Sequence, residues 1–510
     1  MTDSPRESGF LGARVAATPE CTAVVDAATG EAWTYADLDT EVADLAGRLA
    51  GVGVGPGDRV PLLLHTSVDA VRAVHAVLRL GATLVPLSPD LAPDELARRL
   101  GVVGADHLVC GPDTEAAALD AVGAVDDRSV DPVSIDAGGR VPSIDAHDSV
   151  TIPDPERRPD EAVLVMFTSG TTGPAKAVRL TKRNLRSSAV ASAFRLGVLP
   201  GDRWLCSLPI HHMGGLAPVL RSALYGTAVV VQEGFDAGRT ARATREHDAT
   251  GVSLVPTMLR RVFDADARLS DSLRFVLLGG AAASEDLIAA CAERGVPVYP
   301  TYGTTETASQ IATATPDEAF ERPDTVGHPL QGTEVRIVGE DGTERPPGEI
   351  GEIAVSGPTV TPGYLGGDGA AFRRDDFRTG GLRTGDLGYR DEAGRLYVVG
   401  RADDVIVTGG ENVRPGEVEA TLREHPAVRD AAVVGLDDPE WGERVAALVV
   451  LADTEGDPVE AGELRAFCRK RLAGFKTPKT VRIADALPRT ASGTVDREAV
   501  RERLAGMEER

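Results

Sequence analysis

An apolar run leads into Thr168-Ser169-Gly170-Thr171-Thr172-Gly173-Pro174-Ala175-Lys176. Small residues let a backbone approach a ligand, hydroxyls and N–H groups bind phosphate oxygens, and a lysine supplies counter-charge. The chemistry that suits this spacing is the handling of a nucleotide's phosphates. It is not a Walker loop. No glycine precedes Lys176, and Ala177 stands where a serine or threonine would hold magnesium. A flexible Gly/Thr surface turn is the plain alternative. Further along come Gly279-Gly280-Ala281, Tyr302-Gly303-Thr304-Thr305-Glu306, Thr384-Gly385-Asp386, Gly400-Arg401 and Thr408-Gly409-Gly410. Each taken alone reads as a strand-to-loop exit, a solvated glutamate or a surface ion pair. His212, beside a Gly-rich turn, reads alone as a packed histidine.

The elements that must position these residues are α/β in character. Val163 to Phe167 predicts a strand entering the phosphate loop, and Thr181 to Phe194 a helix following it. Near the N-terminus, Tyr35 to Gly51 and Val68 to Leu80 have helical spacing, while Arg59 to Leu64 and Ala82 to Leu87 read as buried strands. Strand, helix, strand in this rhythm predicts βαβ units and a parallel sheet. Residues 111 to 160 lose the rhythm and read mostly as loop; it resumes from Glu161 to about Pro300. From about Gly332 to Val360 short strands with turn signals predict a small β-rich subdomain. Gly416 to Glu424 and Ala461 to Leu472 read as helices of a compact C-terminal segment.

At 510 residues, 42% of them hydrophobic, the chain suits two or more domains with real cores. The opening MTDSPRESGF lacks the basic and apolar stretches of a cleaved signal, and no apolar run is long enough to span a bilayer. A soluble, cytoplasmic protein is expected. Cys21, Cys110, Cys206, Cys291 and Cys468 are scattered without a CxxC pair, which predicts reduced thiols and neither disulfides nor a zinc site. The net charge of −24 disfavours nucleic acid and anionic membranes as partners. Of the 54 basic residues only five are lysine (Lys176, Lys182, Lys470, Lys476, Lys479) and 49 are arginine. An acidic, lysine-poor surface suits a halophilic, high-salt cytoplasm; a GC-rich genome is the alternative. Assembly as a homo-oligomer is compatible with all of this.

Taken together and in order, these motifs closely resemble those of the adenylate-forming superfamily, which includes acyl–CoA synthetases, firefly luciferase and peptide-synthetase adenylation domains. The resemblance covers nearly the whole chain. It implies a large domain over 1–400 that binds ATP and an acid, and a small mobile α+β domain over 401–510, hinged near Asp403. It implies a phosphate loop at Thr168, Ser169, Gly170, Thr171, Thr172 and Gly173 with Lys176 as counter-charge, and an adenine wall at Gly279, Gly280 and Ala281. Tyr302 would pack on adenine beside Gly303 and Thr304, Thr305 would touch the α-phosphate, and Glu306 would bind Mg²⁺. Asp386 and Arg401 would hold the ribose, and Gly409 and Gly410 would line the pantetheine tunnel. ATP, Mg²⁺ and coenzyme A follow as cofactors and co-substrate, with a small carboxylic acid as partner.

The acid pocket looks like that of the o-succinylbenzoate–CoA ligases of menaquinone biosynthesis. Leu208-Pro209-Ile210-His211-His212-Met213-Gly214-Gly215-Leu216 lacks the aspartate that amino-acid-activating domains use, and no carrier domain follows. Glu306-Thr307-Ala308-Ser309-Gln310, Val326-Gly327-His328-Pro329-Leu330 and Gly409-Gly410-Glu411-Asn412 point the same way, the first most strongly. The resemblance implies His212 at the acyl pocket, and Ser309 could offer a hydroxyl to the second carboxylate. Another aromatic or fatty acid is the alternative. One position breaks the pattern: Pro488-Arg489-Thr490-Ala491-Ser492-Gly493-Thr494 carries a threonine where the family has a lysine for adenylation. That departure also leaves open a non-catalytic nucleotide- or acyl-binding homologue.

Overall fold

The computed structural model describes residues 9–125, 129–136, 139–152, 157–168, 175–366, 372–373, 377–378, 381–452, 459–490 and 493–506. Ser169, Gly170, Thr171, Thr172 and Gly173 lie outside them. Local chemistry explains where the first elements start and stop. Thr34 and Asp37 form a capping box that opens the helix Tyr35–Val52, and Gly53 at φ 110° ends it. Its buried face is Leu38, Val42, Ala46 and Leu49, at helical spacing. Ser67 caps the next helix, Val68–Arg79. Between them Arg59–Leu63 runs parallel to Thr83–Leu87, whose five residues are all buried, as a strand covered on both faces requires.

Both strands belong to an eight-stranded sheet, and a second large sheet has nine strands. The eight-stranded sheet contains Ala162–Thr168 and Lys176–Thr181; the nine-stranded sheet contains Phe275–Leu278, Val298–Thr304 and Ser309–Thr313. By density of contacts the chain falls into two compact units, 1–335 with 355–382, and 336–354 with 383–510. The second unit contains a sheet of Ile406–Thr408, Glu411–Val413, Val428–Asp438, Gly442–Leu451 and Thr480–Ile483, with Pro415–Arg423 and Ala461–Arg469 helical. Among the described residues no helix is long and apolar enough to cross a membrane.

Two expectations are amended. The described part of 111–160 is mostly loop and turn, as expected, but it also carries a helix, Glu115–Gly123, and a strand, Asp131–Ser134, parallel to His107–Cys110. The alanine-rich EAAALDAVG forms helix readily despite its weak amphipathic pattern. The second correction concerns the phosphate loop, which does not feed directly into a helix. Lys176–Thr181 is an antiparallel strand pairing with Ala162–Thr168, so Thr168 lies opposite Lys176 and the two strands are the arms of a hairpin. The helix starts only at Lys182, capped reciprocally by Thr181 and Asn184. Its N-terminal dipole therefore plays no direct part at Lys176.

Candidate active site

In the first unit the Thr168/Lys176 hairpin is joined by a second one. Val298–Thr304 and Ser309–Thr313 pair antiparallel with a register shift between Tyr302 and Gly303. A short 3₁₀ turn, Thr305–Thr307, and Ala308 at φ 54° connect them. Gly303 is obligatory here: a Cβ would lie 1.7 Å from the Ser309 carbonyl oxygen. Gly279 packs beside the same strand, since a Cβ there would meet Thr301 Cγ2 at 2.7 Å, and Gly280 turns the chain away at φ 81°. Ala281, in the exposed turn that follows, completes this edge. The strand pairing Val276↔Val298 and Leu278↔Pro300 thus places Gly279–Ala281 next to Tyr302.

Glu306 is held by two contacts. Its carbonyl accepts from the Thr361 N–H at 2.7 Å, and its Oε1 accepts from the Tyr364 hydroxyl at 3.2 Å. The Lys176 ammonium lies 5.1 Å from the centroid of the Tyr364 ring. Lys176 and Glu306, distant in sequence, therefore converge on one buried tyrosine that the sequence reading did not single out. Nearby, Thr304 Oγ1 is buried without a partner, a polar atom unsatisfied in the protein alone. Thr305 sits on the same turn. Among the described residues no cluster of three His, Cys, Asp or Glu could hold a metal by itself. A magnesium ion fits at Glu306 only if phosphates and water supply its other ligands, which is how that ion is commonly held.

His212 occupies the N-cap position of the helix Met213–Tyr225 without a side-chain capping bond, and its ring lies 4.6 Å from that of His211. Gly215 permits the turn, for a Cβ would sit 2.3 Å from the Pro209 carbonyl oxygen. Nε2 of both histidines is buried without a partner. Burial, then the charges of His212, Arg99 and His65, push the His211 pKa down to about 3. Burial and Arg99 also lower that of His212. Both are neutral imidazoles. On the same helix Arg221 is 3% exposed and donates to Ser192 Oγ at 3.1 Å, Gln310 Oε1 at 3.0 Å and Ser188 Oγ at 3.0 Å. Sequence reading missed this residue; a lone arginine in an apolar helix, LAPVLR, was the available signal.

In the second unit, Asp386 and Arg401 face each other across paired strands, with Nη1 3.1 Å from Asp386 Oδ1. Arg401 Nη1 also donates to the Thr384 carbonyl at 3.0 Å, and its Nη2 lies 3.5 Å from Asp403. Gly409 and Gly410, at φ 60° and 84°, make the tight turn between Ile406–Thr408 and Glu411–Val413. A Cβ on Gly409 would strike the Trp441 ring at 2.6 Å. Thr494 is drawn into a small loop by Thr490, whose hydroxyl lies 2.6 Å from its own. The cations near it in sequence have partners: Arg489 with Asp430, Lys476 with Glu417, and Arg497 with Asp404 and Glu419.

The family described as AMP-binding enzyme matches residues 11–365, and the AMP-binding enzyme C-terminal domain matches 417–494. The chain is 39% identical over 489 residues to the 2-succinylbenzoate–CoA ligase of Bacillus licheniformis, covering 96% of this chain and 98% of that one. It is similar to the solved o-succinylbenzoate CoA synthetase (MenE) from Bacillus subtilis in complex with the acyl-adenylate intermediate OSB-AMP. The TM-score is 0.85 at 34% identity, covering 97% of this chain and 98% of that one. The Bacillus subtilis protein in complex with ATP and magnesium ion gives 0.86 at 35% identity, covering 98% and 100%.

Proposed function

The chain belongs to the AMP-binding enzyme family, and on that premise we propose that it is a 2-succinylbenzoate–CoA ligase of menaquinone biosynthesis. The reaction has two halves. A carboxylate oxygen of the acid attacks the α-phosphorus of ATP and expels pyrophosphate; the thiol of coenzyme A then attacks the acyl carbon and expels AMP. The observation that carries the reading is the convergence of Lys176 and Glu306 on the side chain of Tyr364. Lys176 there neutralises phosphate charge, and Thr304 and Thr305 offer hydroxyls to it. Magnesium, when bound at Glu306, supplies charge neutralisation across the phosphates. Tyr302 and Gly279–Ala281 border the adenine, while Asp386 and Arg401 serve the ribose.

The neutral imidazole of His212 suits an acyl pocket, because it can hydrogen-bond without presenting a charge to an apolar ring. Arg221, which pairs with no carboxylate among the described residues, suits the second carboxylate of a dicarboxylic acid, and the names of the relatives support that acid. Rotation of the small domain about Asp403 would exchange the two halves, with Gly409 and Gly410 lining the pantetheine path in the second. The charge and thiol pattern fit a cytoplasmic protein working at high salt. Thr494 bears on the first half alone, since a neutral hydroxyl cannot replace an ammonium.

The test is AMP release with a panel of carboxylic acids at high salt, alongside acid-dependent ATP–pyrophosphate exchange. Turnover with 2-succinylbenzoate above benzoate and medium-chain fatty acids is expected. Preference for a fatty acid overturns the acid, and exchange that appears only in Thr494→Lys shows that the natural protein has lost adenylation.

A further inference from the structure

Tyr364 is 7% exposed, and its ring packs in the main hydrophobic cluster of the first unit. A phenylalanine would fill that space equally well. The tyrosine adds one hydroxyl, which donates to Glu306 Oε1 at 3.2 Å, while the ring approaches the Lys176 ammonium at 5.1 Å from its centroid. We infer that Tyr364 is the positioning residue of the phosphate end of the site: its hydroxyl orients the Glu306 carboxylate and its ring seats the Lys176 ammonium. The inference rests on the ligase reading above and names a part of that site which the motifs do not contain.

The placement of Tyr364 is itself strongly determined. It lies on the short strand Gly363–Leu365, paired antiparallel with Lys176–Thr181 so that Tyr364 stands opposite Val178. The segment before it is tied down at several points. Asn184 Nδ2 donates to the carbonyls of Pro358 and Val360 at 2.8 and 2.9 Å, and the Thr361 N–H donates to the Glu306 carbonyl at 2.7 Å. Thr361 Oγ1 lies 2.9 Å from the Gly363 carbonyl. The same few residues therefore fix the backbone of Glu306 and the strand that carries the phenol.

The division of labour follows from the two ends of the side chain. A carboxylate on a one-turn 3₁₀ element can rotate; one oxygen held by a phenolic O–H leaves its second oxygen and a remaining lone pair for a hard cation. The negative face of an aromatic ring attracts an ammonium without discharging it, so the ring positions Lys176 and leaves its charge intact. A direct Lys176–Glu306 ion pair would use both charges on each other, and the intervening phenol disfavours that collapse.

The experiment is ATP binding followed by calorimetry, with and without magnesium, on the full chain. In Tyr364→Phe the magnesium concentration for half-maximal enhancement of ATP binding should rise about tenfold, as loss of a hydrogen bond to a charged group implies. Metal-free ATP binding and the thermal midpoint should stay as in the natural protein. Tyr364→Leu, which removes the ring as well, should weaken binding in both conditions. In a Glu306→Gln background Tyr364→Phe should add nothing to the magnesium effect. An unchanged magnesium requirement in Tyr364→Phe, with the natural protein responding normally, overturns the role of Tyr364 alone. Natural protein whose ATP binding ignores magnesium overturns the ligase reading with it.

Discussion

Arg221 in the first unit and Arg497 in the second are both largely buried, yet their surroundings are opposite. Arg497 Nε lies 3.0 Å from Asp404 and its Nη1 2.7 Å from Glu419, with the Val433 carbonyl accepting at 2.6 Å. Burial lowers its pKa, but Glu419 and Asp404 more than offset this. Arg221 donates instead to two serine hydroxyls and a glutamine amide oxygen, and burial lowers its pKa. Gln310 is itself oriented, since its Nε2 donates to Thr313 Oγ1 at 2.8 Å. A cation between two carboxylates has its field cancelled and holds structure together. A cation met by neutral dipoles keeps its field and is poised for an anion that arrives later.

The largest effect that could break this comparison is on folding. Arg497→Met leaves the Asp404 and Glu419 carboxylates buried and facing each other. Removing one partner of a buried ion pair destabilises by about 3–5 kcal/mol. The Arg497 side chain keeps 24% of its surface exposed, so the lower end is expected. Thermal unfolding of the natural and variant proteins measures it; an unchanged midpoint would show that Arg497 is not the anchor of this cluster.

Next in size is an effect on substrate. Arg221→Gln should raise the concentration of dicarboxylic acid needed for half-maximal AMP release by about 10- to 100-fold, the worth of a hydrogen bond to a charged group. The response to ATP should not move, and use of a simple benzoate, which lacks the second carboxylate, should not fall. The thermal midpoint should hold or rise, because a buried charge without a counter-ion is removed. Equal losses with mono- and dicarboxylic acids would make Arg221 a brace for Gln310 and nothing more.

These two arginines also mark what could be read without a structure. A nucleotide site built from consecutive backbone and side-chain groups leaves contiguous words, so the segments proposed for it, Thr168 to Lys176, Tyr302 to Glu306 and Thr384 to Asp386, are legible as such. The helices Tyr35–Val52 and Val68–Arg79 were visible because their buried faces repeat at helical spacing. Tyr364 and Arg221 act singly, each made meaningful by partners on other strands and helices, and no local pattern distinguishes them from core residues. The strand Lys176–Thr181 escaped for another reason. It has six residues, a proline just before it and a capping threonine at its end, so the loop and helix on either side overshadowed its short alternation.

The smallest expected effect sharpens the contrast from the side of charge. Burial lowers the pKa of Arg221 yet leaves it an arginine; the same desolvation simply discharges an imidazole. His211 is held to about 3 by burial and neighbouring positive groups, His212 is lowered by burial and Arg99, and fully buried His75 falls to about 4. All start from an ordinary value of 6.5. Unfolded histidines therefore gain protons as pH falls through 6.5, while His211 and His75 stay neutral until far lower and His212 protonates below its ordinary value. The unfolded state binds more protons in that window, so stability must fall as pH drops and level off above it. Carboxylates held low by hydrogen bonds lose their contribution only in stronger acid, which leaves the interval from about pH 6.5 to about pH 5 to the histidines. The thermal midpoint should be highest near pH 7.5 and decline through that interval, with a shallower decline in His211→Phe; above about pH 8 it should fall again, because burial pushes the thiols of Cys110, Cys206 and Cys291 up to about 12 and the unfolded thiols ionise first. The ring carbon resonances of His211 should stay at their neutral positions down to about pH 5, where an exposed histidine has already titrated. Titration of His211 near 6.5 would mean that its ring is reached by water and that burial does not hold it neutral.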